Sequence, residues 1–102
     1  ALRHPTAKKE YVALLRGEWK YGIDGIIVDD PLMVDEVEKE AVTEFIPLAT
    51  MRPEQRNDND DGYLPGACTL VRIIPRTGRT HQIRRHAYRI HHPVLGDTAH
   101  GD

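Results

Sequence analysis

The 102-residue chain has a single cysteine, Cys68, so no disulfide can close within it. A lone thiol inside an apolar run reads as a small buried side chain, compatible with a reducing, cytoplasmic setting. No stretch reaches the roughly 18 consecutive apolar residues of a membrane-spanning helix, so no membrane partner is expected. An initiator methionine and a basic-then-apolar leader are both missing, and the chain stops at Gly101-Asp102, just past a strongly patterned segment. This suggests a piece of a larger protein, with residues 1–102 forming one partial domain. Repeats, low-complexity tracts, a P-loop, a Gly-x-Ser-x-Gly string and paired cysteines are absent too, so no self-contained nucleophile–base set is visible. The composition, 39% apolar and 29% charged, is that of an ordinary folded domain rather than a disordered one.

Acid is absent where base is densest. Residues 75–86, Pro-Arg-Thr-Gly-Arg-Thr-His-Gln-Ile-Arg-Arg-His, hold four arginines and two histidines with no Asp or Glu. The net charge of −2 conceals this division. Residues 1–20 carry five basic side chains against two acids, residues 21–70 three against twelve, and residues 71–102 six against two. If the two basic ends converge, they form one positive face with the acidic middle turned away from it.

Alternation marks four strands. Residues 8–17 put Val12, Leu14 and Arg16 on one side and Tyr11, Ala13 and Leu15 on the other. Residues 26–28 form a short apolar strand, closed by Asp29-Asp30-Pro31, and residues 41–48 and 68–74 are the third and fourth. Residues 33–40 read either as one helical turn or as a loop. Residues 51–66 read as a polar, acidic loop. Thr80 is placed to cap a helix over 81–90, in which Ile83, Ala87 and Ile90 fall on one core-facing stripe before His92-Pro93 ends it. Strands followed by a late helix predict an α+β domain with a mixed, mainly antiparallel sheet.

Ile83 centres the buried face of that helix, with Arg84 at its rim and Arg85 and Arg89 outside, near Gln82. Arg85 and Arg89 can meet phosphates or water. A half-buried guanidinium at Arg84 calls for a bidentate carboxylate, and the acids nearest in sequence are Asp61 and Asp97. Backbone amides at the helix start, beside Gly78 and Arg79, suit an anion. Tyr11, next to Lys8 and Lys9, is either packing or a ring for stacking on a base. His81, His86, His91, His92 and His100 are not at i, i+4 ligand spacing, and no Cys, Asp or Glu joins them, so no metal is expected.

In order and spacing, Lys9-Glu10-Tyr11-Val12-Ala13-Leu14-Leu15-Arg16-Gly17, Asp30-Pro31-Leu32, Ala41-Val42-Thr43-Glu44-Phe45, the string Pro75 to Arg84 and His92-Pro93-Val94-Leu95-Gly96-Asp97 resemble the second half of an RluA-type pseudouridine synthase. Arg84-Arg85-His86 and His100-Gly101-Asp102 resemble its TruC-like branch, which modifies tRNA. The resemblance implies part of a pseudouridine-synthase catalytic domain, a cofactor-free isomerase whose partner is RNA (tRNA, or alternatively rRNA), and it is read as a monomer. In this family an aspartate attacks the nucleoside, an arginine pairs with it and a tyrosine contacts the uracil. By motif, Arg84 matches the arginine and Tyr11 the tyrosine, while Lys9, Arg79, Thr80, His81, Gln82, Arg85 and Arg89 are candidate RNA contacts. The aspartate belongs to a His-Arg-Leu-Asp string upstream of the Lys-x-Tyr strand, and no such string occurs here. The 102 residues alone are therefore expected to be inactive. The alternative is a non-catalytic RNA-binding module using the same basic face.

Overall fold

Large apolar side chains at every second position turn four segments into one sheet whose inner face carries the core. In the computed structural model, which describes residues 9–52 and 66–95, these strands are β1 (Tyr11–Arg16), β2 (Ile26–Asp29), β5 (Val42–Met51) and β6 (Cys68–Pro75). They pair antiparallel in the order β1-β6-β5-β2. One row of partners runs Tyr11, Ile73, Phe45, Ile26 across all four strands. Its two central members are fully buried. The single helix among the described residues, α1 (Gln82–Arg89), packs on this face, and Leu15, Val28, Phe45, Val71, Ile73, Ala87 and Ile90 form the core. The expected stripe of Ile83, Ala87 and Ile90 does pack inward.

The stretch over 33–40 is neither a helical turn nor a loop. It is a hairpin of β3 (Leu32–Val34) and β4 (Val37–Lys39). Asp35 and Glu36 connect the strands with φ of 53° and 68°, the left-handed pair that a tight two-residue hairpin requires. Asp-Glu is not a usual sequence signal for that turn. The third predicted strand also runs three residues past its expected end at Leu48, because a register shift between Pro47 and Ala49 lets pairing with β6 continue to Met51. Pro47 lies past the last β5 residue paired with β2, so its missing N–H breaks no ladder on that side. Residues 53–65, most of the predicted acidic loop, lie outside the described residues.

After α1 the chain returns along the outer edge of β1. Arg16 donates to the Pro93 carbonyl and Leu95 to that of Leu14, both at 2.8 Å, so the edge is partly covered. His92 is fully buried there, its Nδ1–H donating to the Arg16 carbonyl at 2.7 Å. The ring stacks on Trp19 with centroids 5.0 Å apart and meets the edge of Tyr21 at 5.7 Å. With the proton on Nδ1, Nε2 is left as a bare acceptor among aromatic rings and has no hydrogen-bond partner. Tyr21 closes the cluster by donating from its hydroxyl to the Ile90 carbonyl at 2.9 Å.

Gly22 and Gly25 both adopt left-handed backbone, with φ of 87° and 83°. A side chain at Gly22 would enter open space, whereas a Cβ at Gly25 would lie 2.1 Å from the Phe45 carbonyl oxygen. Urea denaturation is expected to show a loss of about 1 kcal/mol for Gly22→Ala, the left-handed strain alone. Gly25→Ala should lose at least about 3 kcal/mol, because the backbone must also shift. Equal losses would contradict this close approach.

Candidate active site: a cationic cleft at the strand-to-helix junction

The inner-face row that starts at Tyr11 reaches the surface where β6 ends and the chain turns into α1. A cleft of about 880 Å³ opens there. Tyr11 and Arg84, 73 positions apart in sequence, both line it, together with Lys9, Arg79 and His81. Tyr11 is 38% exposed. Arg76 and Thr77, to which the sequence reading gave no role, are lining residues as well. No carboxylate is among the described residues that line the cleft.

Strand periodicity explains the absence of acid on this side. Lys9 and Tyr11 are two apart and face the cleft, while Glu10 between them points to the opposite face of the sheet. There it accepts two bonds from Arg72, at 2.8 and 3.1 Å. The Glu10 carboxylate, through this hydrogen bond first and its charge second, holds the Arg72 guanidinium above its ordinary range. Arg76 pairs with Glu44 at 2.5 Å, and Arg79 donates from Nε to the carbonyl of Glu40 at 2.6 Å. Arg79 thus keeps its charge uncompensated by that bond, since its acceptor is a neutral carbonyl.

The turn that carries these cations is fixed by Gln82, which is only 4% exposed. This corrects the expectation that Gln82 lies near the outer arginines as an RNA contact. Its Oε1 accepts from the Thr77 hydroxyl at 2.7 Å and the Arg79 amide at 3.0 Å. Its Nε2 donates to the Val42 carbonyl at 2.9 Å and to Thr43 Oγ1 at 2.8 Å. Both acceptor sites and both donors of the amide are used. The Arg79 N–H, expected to be offered to an anion, is thereby taken.

The network continues under the helix. His86 is fully buried, its Nε2–H donating to the Asp30 carbonyl at 2.8 Å. Its Nδ1 is then the acceptor for the Thr43 hydroxyl at 2.7 Å. Thr80 is not the cap: His81 occupies the N-cap position in left-handed backbone, with no side-chain cap bond. The Thr80 carbonyl instead accepts from Arg85 Nε and Nη2 at 3.1 and 2.7 Å.

Arg85 also donates to the Met33 carbonyl at 2.8 Å, and Arg89 bonds Asp30 at 2.5 Å and the Pro31 carbonyl. The two arginines expected to meet phosphates therefore tether the hairpin to the helix. Nothing in their sequence neighbourhood signals this, because Asp30 to Met33 lie more than fifty residues upstream. Among the described residues no group of three or more His, Cys, Asp or Glu comes together as a metal ion would require.

Fold and site together define an α+β domain with a cleft lined by Lys9, Arg76, Arg79 and Arg84. The family described as RNA pseudouridylate synthase matches residues 1–88. The chain therefore belongs to that family, as the strings around Tyr11 and Arg84 imply. It is 36% identical over 107 residues to tRNA pseudouridine synthase C of Pasteurella multocida, covering 93% of this chain and 42% of that protein. It is 35% identical over 101 residues to ribosomal large subunit pseudouridine synthase C of Haemophilus ducreyi, covering 99% and 30%. The chain thus spans less than half the length of these curated relatives. Among solved structures, human RNA pseudouridylate synthase domain containing 1 aligns with a TM-score of 0.71 at 25% identity, covering 93% of this chain and 41% of that one. The domain containing 4 shares the fold, with a TM-score of 0.57 at 22% identity.

Replacing Gln82 by Ala removes four partners from groups that are buried or half-buried. A loss of about 2–4 kcal/mol is expected in urea denaturation. Gln82→Glu should also be destabilising, since a carboxylate cannot donate to Val42 and Thr43. If Gln82→Ala unfolds at the wild-type urea concentration, Gln82 does not brace the turn.

Proposed function

We propose that the protein containing this chain isomerises uridine to pseudouridine in RNA, with tRNA as the first substrate to test. The supporting observation is the convergence of Tyr11 and Arg84 on one cleft that also holds Lys9, Arg79 and His81 and no acid. A flipped uridine has the chemistry for this space. Its ring can lie against Tyr11 and its phosphates can meet Lys9 and Arg79, with Ala13 and Ile73 as apolar lining. Flipping costs a few kcal/mol, which stacking and phosphate contacts can offset.

The reaction is an isomerisation and needs no redox partner. The bond from N1 to the ribose breaks, the uracil turns, C5 joins the ribose, and the C5 proton is released as N1 takes one up. Arg84 is assigned to hold the attacking aspartate in its ionised form, as the family resemblance implies. That aspartate would come from residues outside the span that matches the relatives, because no His-Arg-Leu-Asp string lies within these 102 residues. Names of relatives at 36% and 35% identity point to tRNA and to large-subunit rRNA almost equally. The tRNA preference rests on the Arg84-Arg85-His86 step.

Release of tritium from uridine C5 tests the reading. The full protein should release it from tritiated tRNA, and Arg84→Met should slow the release at least about a hundredfold. The 102-residue chain alone should release none. Release from ribosomal RNA but not tRNA would move the substrate, and none from either would favour the non-catalytic binding module.

A further inference from the structure

Tyr88 is the most exposed aromatic side chain among the described residues, at 72%. It stands on the outer face of α1 in a shallow hollow of about 320 Å³, lined also by Arg84, Arg85, Arg89 and Pro93. No acid is among the described residues that line the hollow. Arg85 is held in place by the Thr80 and Met33 carbonyls, bonds that fix its guanidinium without neutralising it. The charge of Arg89 is offset by Asp30, so the hollow is cationic toward its Arg85 side. Arg84 also lines the cleft, and the two spaces therefore share a wall. From Arg84 to Tyr88 is one helical turn, about 6 Å along the axis.

We propose that this hollow is a second RNA contact, in which a base of the strand leaving the cleft stacks on Tyr88 while its phosphates lie toward Arg85. The proposal rests on the reading of the cleft as an RNA site. A flat, open ring beside fixed guanidinium groups suits a planar base joined to phosphates. An acidic peptide would use the arginines and leave the ring without a matching partner. A stacking contact of this kind is independent of base sequence, so it adds affinity and direction without choosing the target uridine.

The test is the anisotropy of a fluorescein-labelled, unstructured oligouridylate titrated with the full chain at 50 and 200 mM salt. Tyr88→Ala is expected to weaken binding about tenfold. The factor should be the same at both salts, because stacking releases no counterions. Tyr88→Phe should stay within about twofold of wild type, since the ring survives. Ultraviolet cross-linking should join RNA to the peptide holding Tyr88. Wild type and Tyr88→Ala binding equally, each with salt-dependent affinity, overturns the Tyr88 contact and leaves the cleft reading intact. No RNA binding by wild type at either salt overturns both. A Tyr88-dependent complex with polyglutamate, and Tyr88-independent binding of RNA, would make the hollow a protein-docking surface and overturn the proposal.

Discussion

The side-chain amide of Gln82 ties the turn after β6 to the start of β5. Its two donors reach β5 at Val42 and Thr43, and its oxygen accepts from Thr77 and Arg79 in the turn. Thr77 is itself held to β5, because its hydroxyl oxygen accepts from the Val42 amide at 3.0 Å. Through Thr43 the chain of bonds passes to His86 and on to the Asp30 carbonyl. One polar line thus runs from the cleft-forming turn, under the helix, to the base of the hairpin. In a low-dielectric interior such a line is strong when every member is satisfied and costly when one is lost. Its position explains why a turn rich in Gly, Thr and Arg holds one shape.

Charge is sorted by the same geometry. An acidic chain presents a cationic cleft because no carboxylate is among the described residues that line it. Glu10 lies across the sheet on Arg72, Glu44 holds Arg76, and Asp30 holds Arg89. Individually, these half-exposed pairs contribute little stability. Their effect is on the field: each of these carboxylates is matched by a cation. Arg79 and Arg85 are anchored instead by carbonyl oxygens, an arrangement that fixes a cation and leaves its charge in play.

Much of this was legible in the sequence, and the gaps have physical causes. Period-two alternation identified the four sheet strands and placed Tyr11 on the side of Ala13 and Leu15. Helical spacing placed Ile83, Ala87 and Ile90 inward and Arg84 at the rim. The hairpin was hidden because Asp35 and Glu36 take left-handed backbone without Asn or Gly to announce it. Thr80 looked like a cap because the convention assumes extended backbone just before the helix, whereas the left-handed residue is His81. Gln82 read as solvent-facing because a wheel ranks residues by polarity. Its burial and that of His86 depend on partners 39 to 56 residues away, which no local pattern contains. The tethers from Arg85 to Met33 and from Arg89 to Asp30 and Pro31 were hidden for the same reason.

The density of distinct duties along residues 82–89 constrains this segment more than its composition suggests. Gln82 braces the turn, Ile83 packs inward, Arg84 faces the cleft, Arg85 reaches the hairpin, His86 closes the polar line and Arg89 meets Asp30. Successive residues on a helix are rotated by 100°, so these six directions are set by count alone. Adding or deleting a residue between Gln82 and Arg84 would turn the guanidinium away from the cleft and place a neighbour's side chain there. Conservative exchange is no safer: a lysine at 85 could not bridge Thr80 and Met33, because its single ammonium lacks the fork that spans two carbonyls. The basic string is therefore specified position by position by the fold around it, and a merely cationic surface would not need that precision.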